Sequence, residues 1–254
     1  MLDAAKITVR FGALVAVNDL SISIADSETM GLVGPNGSGK TTFINAVTGL
    51  VPAAGTLAVD GRQVRLGRPG AVARLGVLRT FQTPQVHDGL SCLENVLVGL
   101  RERRLRSIPA AWFRRLAMMK LERSRWVEAA EALDFVGLRK KTHAPGGSLS
   151  YGERRRLELA RAFAGRPRFL LLDEPAAGLN HRETIELVHL LTEWRDAGGP
   201  ALLVVEHKID FLDRFCKRMV VMELGQKIAE GEPAKVWADP RVMDAYLGTV
   251  AESA

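Results

Sequence analysis

Cysteine is scarce in this chain, with Cys92 and Cys216 the only two in 254 residues. Their positions have no metal-ligand spacing and imply no disulfide framework, so a reducing cytosol is the expected compartment. Long apolar runs are also missing. None approaches the ~18 residues needed to cross a bilayer, and any membrane role is expected to come through a partner. The N-terminus MLDAAKITVRF has no basic region followed by an apolar stretch, so no signal peptide is expected. Repeats and low-complexity tracts are absent. Little sequence follows AYLG (Ala245–Gly248), so no appended regulatory domain is expected.

What is present is ordinary for a soluble globular protein: 47% hydrophobic and 25% charged residues. The length suits one large domain or a domain with a second lobe. The net charge of +6 admits nucleic acid or an anionic membrane surface as a partner. Much of that charge lies in Arg101–Trp126. Solvated helix faces are the plainer account of such a segment, and a face held near lipid headgroups the sharper one.

Patterning divides the chain. In LSISI (Leu20–Ile24), alternation predicts a half-buried antiparallel strand, with KITVRF before it as a partner. Asp60-Gly61 within TLAVDGRQV predicts a hairpin. TMGLV, FLLLD and ALLVVEH are continuous apolar runs of the kind buried on both faces of a parallel sheet. RMVVMEL and KIAEGE flank Gly225-Gln226, a further hairpin signal. From about Thr83 to Ala164 the pattern is helical, broken at Pro84, Pro109 and Pro145, with VEAAEALDFVGL ending near Gly137. A helical lobe (83–164) inserted into a nucleotide-binding core (1–82 and 165–254) is the expected organisation.

Chemistry first appears at GPNGSGKTT. Gly34, Pro35, Asn36, Gly37, Ser38, Gly39, Lys40, Thr41 and Thr42 follow an apolar strand and precede FINAVTGL, which has helical spacing. This fits the phosphate-binding loop G-x-x-x-x-G-K-[ST]. Glycines let the backbone turn its N–H groups inward, and the helix beginning near Lys40 adds its positive dipole end. Lys40 is expected to reach the β- and γ-phosphates, Thr41 to ligate Mg²⁺, and Thr42 to make a further phosphate contact.

FLLLDEP narrows the choice among phosphate-loop enzymes. A carboxylate ending a buried strand beside the loop can hold Mg²⁺, which assigns that role to Asp173. Glu174 then projects toward the γ-phosphate and can orient an attacking water. In LSYGERRRLELARAF, Ser150 and Gly152 lie just ahead of an amphipathic helix, a second candidate anion site. One full phosphate loop with two anion sites suggests that two chains share each nucleotide.

These motifs together resemble the ATP-binding cassette (ABC) ATPases, across the whole chain. The resemblance matches Gly34–Thr42 to the Walker A loop, Leu149–Glu153 to the signature motif and Phe169–Pro175 to the Walker B strand. It places Gln82 as the Q-loop glutamine at Mg²⁺ and water, Ala177–Asn180 as the D-loop, and His207 as the switch histidine. Phe11, in VRFG, falls where the family stacks an aromatic residue on adenine. Two departures occur: Tyr151 stands where many members have glycine, and Asn180 where aspartate is commoner. The implied fold is an α/β P-loop NTPase of ABC type, a mixed sheet with an N-terminal antiparallel β-subdomain and the inserted helical lobe. The implied cofactors are ATP and Mg²⁺. Two subunits would face each other head to tail, with Ser150 and Gly152 of one completing the Lys40 site of the other.

RTFQ, GLSCLENVLVGL, LDEPAAGLN and IAEGEPAKVWADPRVMDAYLG look like the ATPase subunits of branched-chain amino acid importers, with relatives for urea and short amides. That resemblance implies a second ATPase subunit (the same or different), transmembrane permease subunits, indirectly an extracytoplasmic solute-binding protein, and a cytoplasmic place on the inner face of the membrane. It puts the contact with the permease's coupling helix at Thr83–Leu90, and the basic segment Arg101–Trp126 near the leaflet. A lipopolysaccharide-export type of ATPase is the alternative. A nucleic-acid-associated ATPase is disfavoured, because such proteins carry two cassettes or a long coiled coil, and nucleic acid is not expected as a partner.

Overall fold

The computed structural model describes residues 1–100 and 115–251. Residues 101–114, on which much of the membrane-face expectation for Arg101–Trp126 falls, lie outside the described residues. Two compact units are present: Met1–Gln82 with Pro167–Ala254, and Thr83–Arg166.

The first unit begins with a four-stranded antiparallel sheet. Strands β1 (Leu2–Phe11), β2 (Leu14–Ile24), β4 (Ala54–Val59) and β5 (Arg62–Val64) lie in the order β2-β1-β4-β5. Alternation sets its buried face, since Leu20, Ile22 and Ile24 are buried together with Ile7 and Val9. The β4–β5 hairpin turns at Asp60-Gly61, both at positive φ, the geometry that matches strand twist.

A six-stranded sheet follows, built from β3 (Thr29–Val33), β6 (Val77–Arg79), β7 (Phe169–Asp173), β8 (Ala201–Val205), β9 (Arg218–Glu223) and β10 (Gln226–Gly231), in the order β10-β9-β3-β8-β7-β6. Five strands run parallel and β10 returns antiparallel along one edge. Every residue of β3, β7 and β8 is buried, which explains why they read as unbroken apolar runs. The last hairpin turns one residue earlier than its sequence signal: Leu224 and Gly225 take positive φ, and Gln226 is already in β10. Pattern gives no sign of β6, a three-residue edge strand.

Between the sheets lies the main core, where Met30, Leu32, Phe43, Ile44, Leu203 and Val220 are buried together. Helix α1 (Lys40–Val47) packs on β1 and β2, and α2 (Pro69–Arg74) on β6. Later come α6 (His181–Asp196) and α7 (Ile209–Phe215), which contact each other. Two short C-terminal helices, α8 (Pro233–Trp237) and α9 (Pro240–Ala251), pack on β10.

The second unit packs α3 (Cys92–Gly99), α4 (Arg115–Phe135) and α5 (Tyr151–Ala164) against one another. Ser91 and Glu94 form a capping box on α3, a pairing that satisfies two otherwise orphan backbone donors. Phe135 stacks on Phe163 with ring centroids 4.6 Å apart. Asn95 pins the preceding loop. Its Oδ1 accepts from the His87 N–H at 2.8 Å, and its Nδ2 donates to the carbonyls of His87, Leu90 and Ser91. Arg155 and Glu158, both buried, pair at 2.8 Å. Among the described residues, no helix is long and apolar enough to cross a membrane.

Candidate functional site

Parallel neighbours bring their carboxyl ends to one edge, where ligands of open α/β sheets bind. From β3 the chain enters the 34–39 loop. From β6 it reaches Gln82, from β7 Asp173 and Glu174, and from β8 Glu206 and His207. Asp173 lies in register with Val205, which fixes the last two pairs side by side.

The loop is shaped by contacts that only glycine permits. Gly39 has φ 100°, and a Cβ there would lie 2.4 Å from the Ala16 carbonyl oxygen of β2. At Gly34, a Cβ would lie 2.1 Å from the Met222 oxygen of β9. Backbone bonds close the cradle, with Gly225 N–H donating to Ser38 O at 3.0 Å and Ser38 N–H to Pro35 O at 3.2 Å. Lys40 is buried, and its Nζ donates to Gly34 O at 2.7 Å and Pro35 O at 2.8 Å. Burial pushes its pKa down from the ordinary lysine value, while the charges of Glu174 and Asp173 pull it back up. Thr41 is exposed in the first turn of α1, and Thr42 half-buried beside it.

Glu174 is held between two partners. Gln82 Nε2 donates to its Oε2 at 2.7 Å, and His207 Nε2 lies 3.0 Å from its Oε1. Its backbone takes φ 47°, a left-handed conformation uncommon for a residue with a side chain. Such strain concentrates at functional sites. Its N–H donates to Val205 O at 2.9 Å, which ties the conformation to β8. Asp173 is 3% exposed, and its Oδ2 pairs with Arg79 Nη2 at 2.5 Å.

Oxygen donors of the kind Mg²⁺ prefers are carried by the segments that leave this sheet edge: the Thr41 hydroxyl just after the loop, the Asp173 carboxylate at the end of β7 and the Gln82 amide after β6. The donor set fits Mg²⁺ held jointly with phosphate and water. No group of three or more His, Cys, Asp or Glu that could hold a metal by protein ligands alone occurs among the described residues.

Glu206, just before His207, is a residue that motif reading passes over. It is buried, accepting from Ala176 N–H at 2.8 Å through Oε1 and from His207 N–H at 2.7 Å through Oε2. Lys208 Nζ completes the brace by donating to Ala176 O, Leu179 O and Thr184 Oγ1. Residues 176–179 and the His207 loop are thus fixed to each other. A carboxylate directly after a fully buried strand was the available signal. Asn180 caps α6, its Oδ1 accepting from Glu183 N–H at 2.9 Å. Asparagine serves that position about as well as aspartate, so the substitution keeps the cap.

Phe11 is exposed at the end of β1. In the helical unit, Ser150 caps α5 in a capping box with Glu153, and Gly152 is half-buried in the first turn. Lys141 approaches Glu153 at 2.6 Å and is the first cause holding its carboxyl below the usual range. Tyr151, in the place of glycine, is part exposed.

Comparison with known proteins decides the family. The family described as "ABC transporter" matches residues 17–177. The chain belongs to the ABC transporter family. It is an ABC ATPase, in which ATP hydrolysis is coupled to transport. A second family, "Branched-chain amino acid ATP-binding cassette transporter", matches residues 226–252. Among curated relatives, the high-affinity branched-chain amino acid transport ATP-binding protein BraF of Pseudomonas aeruginosa is 37% identical, over 98% of each chain. The lipopolysaccharide export system ATP-binding protein LptB of Acidithiobacillus ferridurans is 33% identical, over 98% of this chain and 97% of that one. The crystal structure of a nucleotide-free ATP-binding cassette from an ABC transporter superposes with TM-score 0.83 at 29% identity, covering 97% of this chain and 98% of that one. The ABC ATPase fold expected from the motifs is the fold observed.

Proposed function

We propose that this ABC ATPase drives import of branched-chain or other hydrophobic amino acids, or of a related small solute such as urea or an amide. In this reading Glu174 is the general base, and the observation that carries it is its carboxylate bracketed by Gln82 and His207. Gln82 holds one oxygen and leaves the other facing His207, so the carboxylate is aimed before substrate arrives. It takes a proton from the attacking water, and His207 supports the terminal phosphate. Lys40 neutralises phosphate charge from within the loop, where its displacement from two carbonyls to phosphate oxygens replaces dipoles by a full charge. Asp173, Thr41 and Gln82 would hold Mg²⁺, which when bound neutralises charge on the β- and γ-oxygens. Phe11 is the adenine contact.

The other half of each site comes from a second cassette, whose Ser150 and Gly152 face the γ-phosphate from the N-terminus of α5. ATP then favours the closed pair, and hydrolysis releases it. Transmembrane permease subunits receive this motion through the loop Thr83–Leu90. That loop's rigidity, set by Asn95 and by Arg161 bonded to Gln85 O, supports the role. An extracytoplasmic solute-binding protein feeds the permease, and the ATPase sits on the cytoplasmic face of the membrane.

Import rather than export is favoured by the C-terminal match at residues 226–252. Co-purifying the complex from its host and measuring ATP hydrolysis with candidate solutes tests the reading. Stimulation by leucine, isoleucine or valine with their binding protein supports it. Stimulation by lipopolysaccharide alone would overturn it in favour of export.

A further inference from the structure

We propose that Arg79 is the resident counter-cation of Asp173 and gives up that place to the divalent cation that accompanies ATP. The inference rests on the reading of Asp173 as a metal-holding residue. It adds a protein charge that alternates with the metal at one carboxylate.

The geometry is explicit. Arg79 ends β6, which runs parallel to β7 with Arg79 in register with Leu171. This places the side chain alongside Asp173, two residues further on. Both side chains are nearly sealed from solvent, at 7% and 4% exposure. Nη2 pairs with Asp173 Oδ2 at 2.5 Å, and Nη1 donates to Asn45 Oδ1 on α1, the helix that follows the phosphate loop. The guanidinium carbon lies 5.1 Å from the centre of the Phe81 ring. Arg79 Nε, by contrast, is buried with no hydrogen-bond partner among the described residues.

A buried carboxylate without a counter-charge is strongly disfavoured. Between turnovers the guanidinium supplies that charge. Arginine cannot relieve crowding by losing its proton. A second cation arriving at Asp173 therefore has to displace it or share the carboxylate against repulsion. Two features make displacement feasible: Asn45 and the Phe81 ring offer seats that do not need Asp173, and the unpartnered Nε leaves the present seat imperfect. Coupling is reciprocal, so pairing with Arg79 weakens metal binding by the same factor by which metal weakens the pair. Arg79 thereby sets the metal concentration at which the loaded state forms and eases metal departure afterwards.

The test is a Mn²⁺ titration of the full-length chain with ATP, read by the loss of free-Mn²⁺ EPR signal. Removing the competing charge in Arg79→Gln, or in Arg79→Met, which fills the volume with an apolar chain, is expected to lower half-saturating Mn²⁺ by about tenfold. Arg79→Lys keeps a cation and is expected to stay near the native value. Unchanged or weaker Mn²⁺ binding in the two neutral variants would overturn the proposal. If a neutral variant is unfolded without metal, its refolding on addition of Mn²⁺ and ATP supports the same exchange, and failure of metal to restore it counts against it. Asp173→Asn separates the two readings. Unaltered Mn²⁺ binding in that variant removes the metal role of Asp173 itself. Weakened binding there, with no gain in the Arg79 variants, removes Arg79 alone.

Discussion

Replacing Glu174 by glutamine should stop hydrolysis while leaving the fold and nucleotide binding intact. The structure permits the exchange sterically and chemically. The glutamine oxygen can still accept from Gln82 Nε2, now at 2.7 Å from the carboxylate, and its amide can face His207 Nε2, now at 3.0 Å. One uncharged tautomer of His207 accepts there, so neither neighbour loses a partner. The left-handed backbone at φ 47° is retained. Stability should therefore change by no more than about 0.5 kcal/mol, the range of substitutions that break no buried feature. Proton abstraction is lost entirely, and general-base catalysis typically contributes ~10²–10⁴ in rate, or about 3–5 kcal/mol on the barrier. Single-turnover hydrolysis, equilibrium binding of a fluorescent ATP analogue and thermal melting measured on one preparation separate these terms. A variant with native melting and binding that still hydrolyses ATP at close to the native rate would refute the assignment of Glu174.

Other consequences are equally open to measurement. Gly39→Ala forces a Cβ against the Ala16 carbonyl at a positive φ and should destabilise the fold by about 1–3 kcal/mol, seen as a lower melting temperature with loss of nucleotide binding. Lys40→Met should weaken the binding of ATP much more than that of adenosine, since the ammonium answers to phosphate charge alone; calorimetry distinguishes them. Glu206→Ala leaves the Ala176 and His207 N–H groups without their acceptor and should destabilise by about 1–3 kcal/mol for each group left buried and unpaired. Burial pushes the Cys216 thiol up to about 12 from an ordinary 9.0. The folded state thus keeps a proton that the unfolded chain loses. This contribution is intact below pH 9.0 and declines as pH rises from there toward about 12. Urea melts across that alkaline range should show stability falling with pH, and Cys216→Ala should flatten the slope.

Much of the site was legible because its chemistry demands rare residue combinations at fixed spacing. Gly34, Gly39 and Lys40 could be read from one stretch, since only a strand, a glycine turn and a helix explain them together. Strands β3, β7 and β8 were legible for a different reason: burial on both faces leaves no polar position to interrupt the run. The edge strand β6 was not, because three residues carry no periodicity, and with it went the placement of Arg79 beside Asp173. That pair is 94 residues apart in sequence, and nothing local announces it. Glu206 was hidden similarly. Its value lies in the backbone N–H groups of Ala176, His207 and Lys208, the first of them 30 residues away. Asn180 lacks the charge an aspartate would carry, yet it keeps the helix cap, a role that depends on a backbone N–H three residues on.

Sharing of each nucleotide between two cassettes is the claim on which the mechanism turns, and ATP hydrolysis by the assembled complex carrying Gly152→Asp in every cassette tests it most directly. A carboxylate placed at the N-terminus of α5 would repel the γ-phosphate of the facing site. The expected result is a loss of turnover by ~10² or more, with ATP still binding each separate chain. Native turnover in that complex would contradict the account.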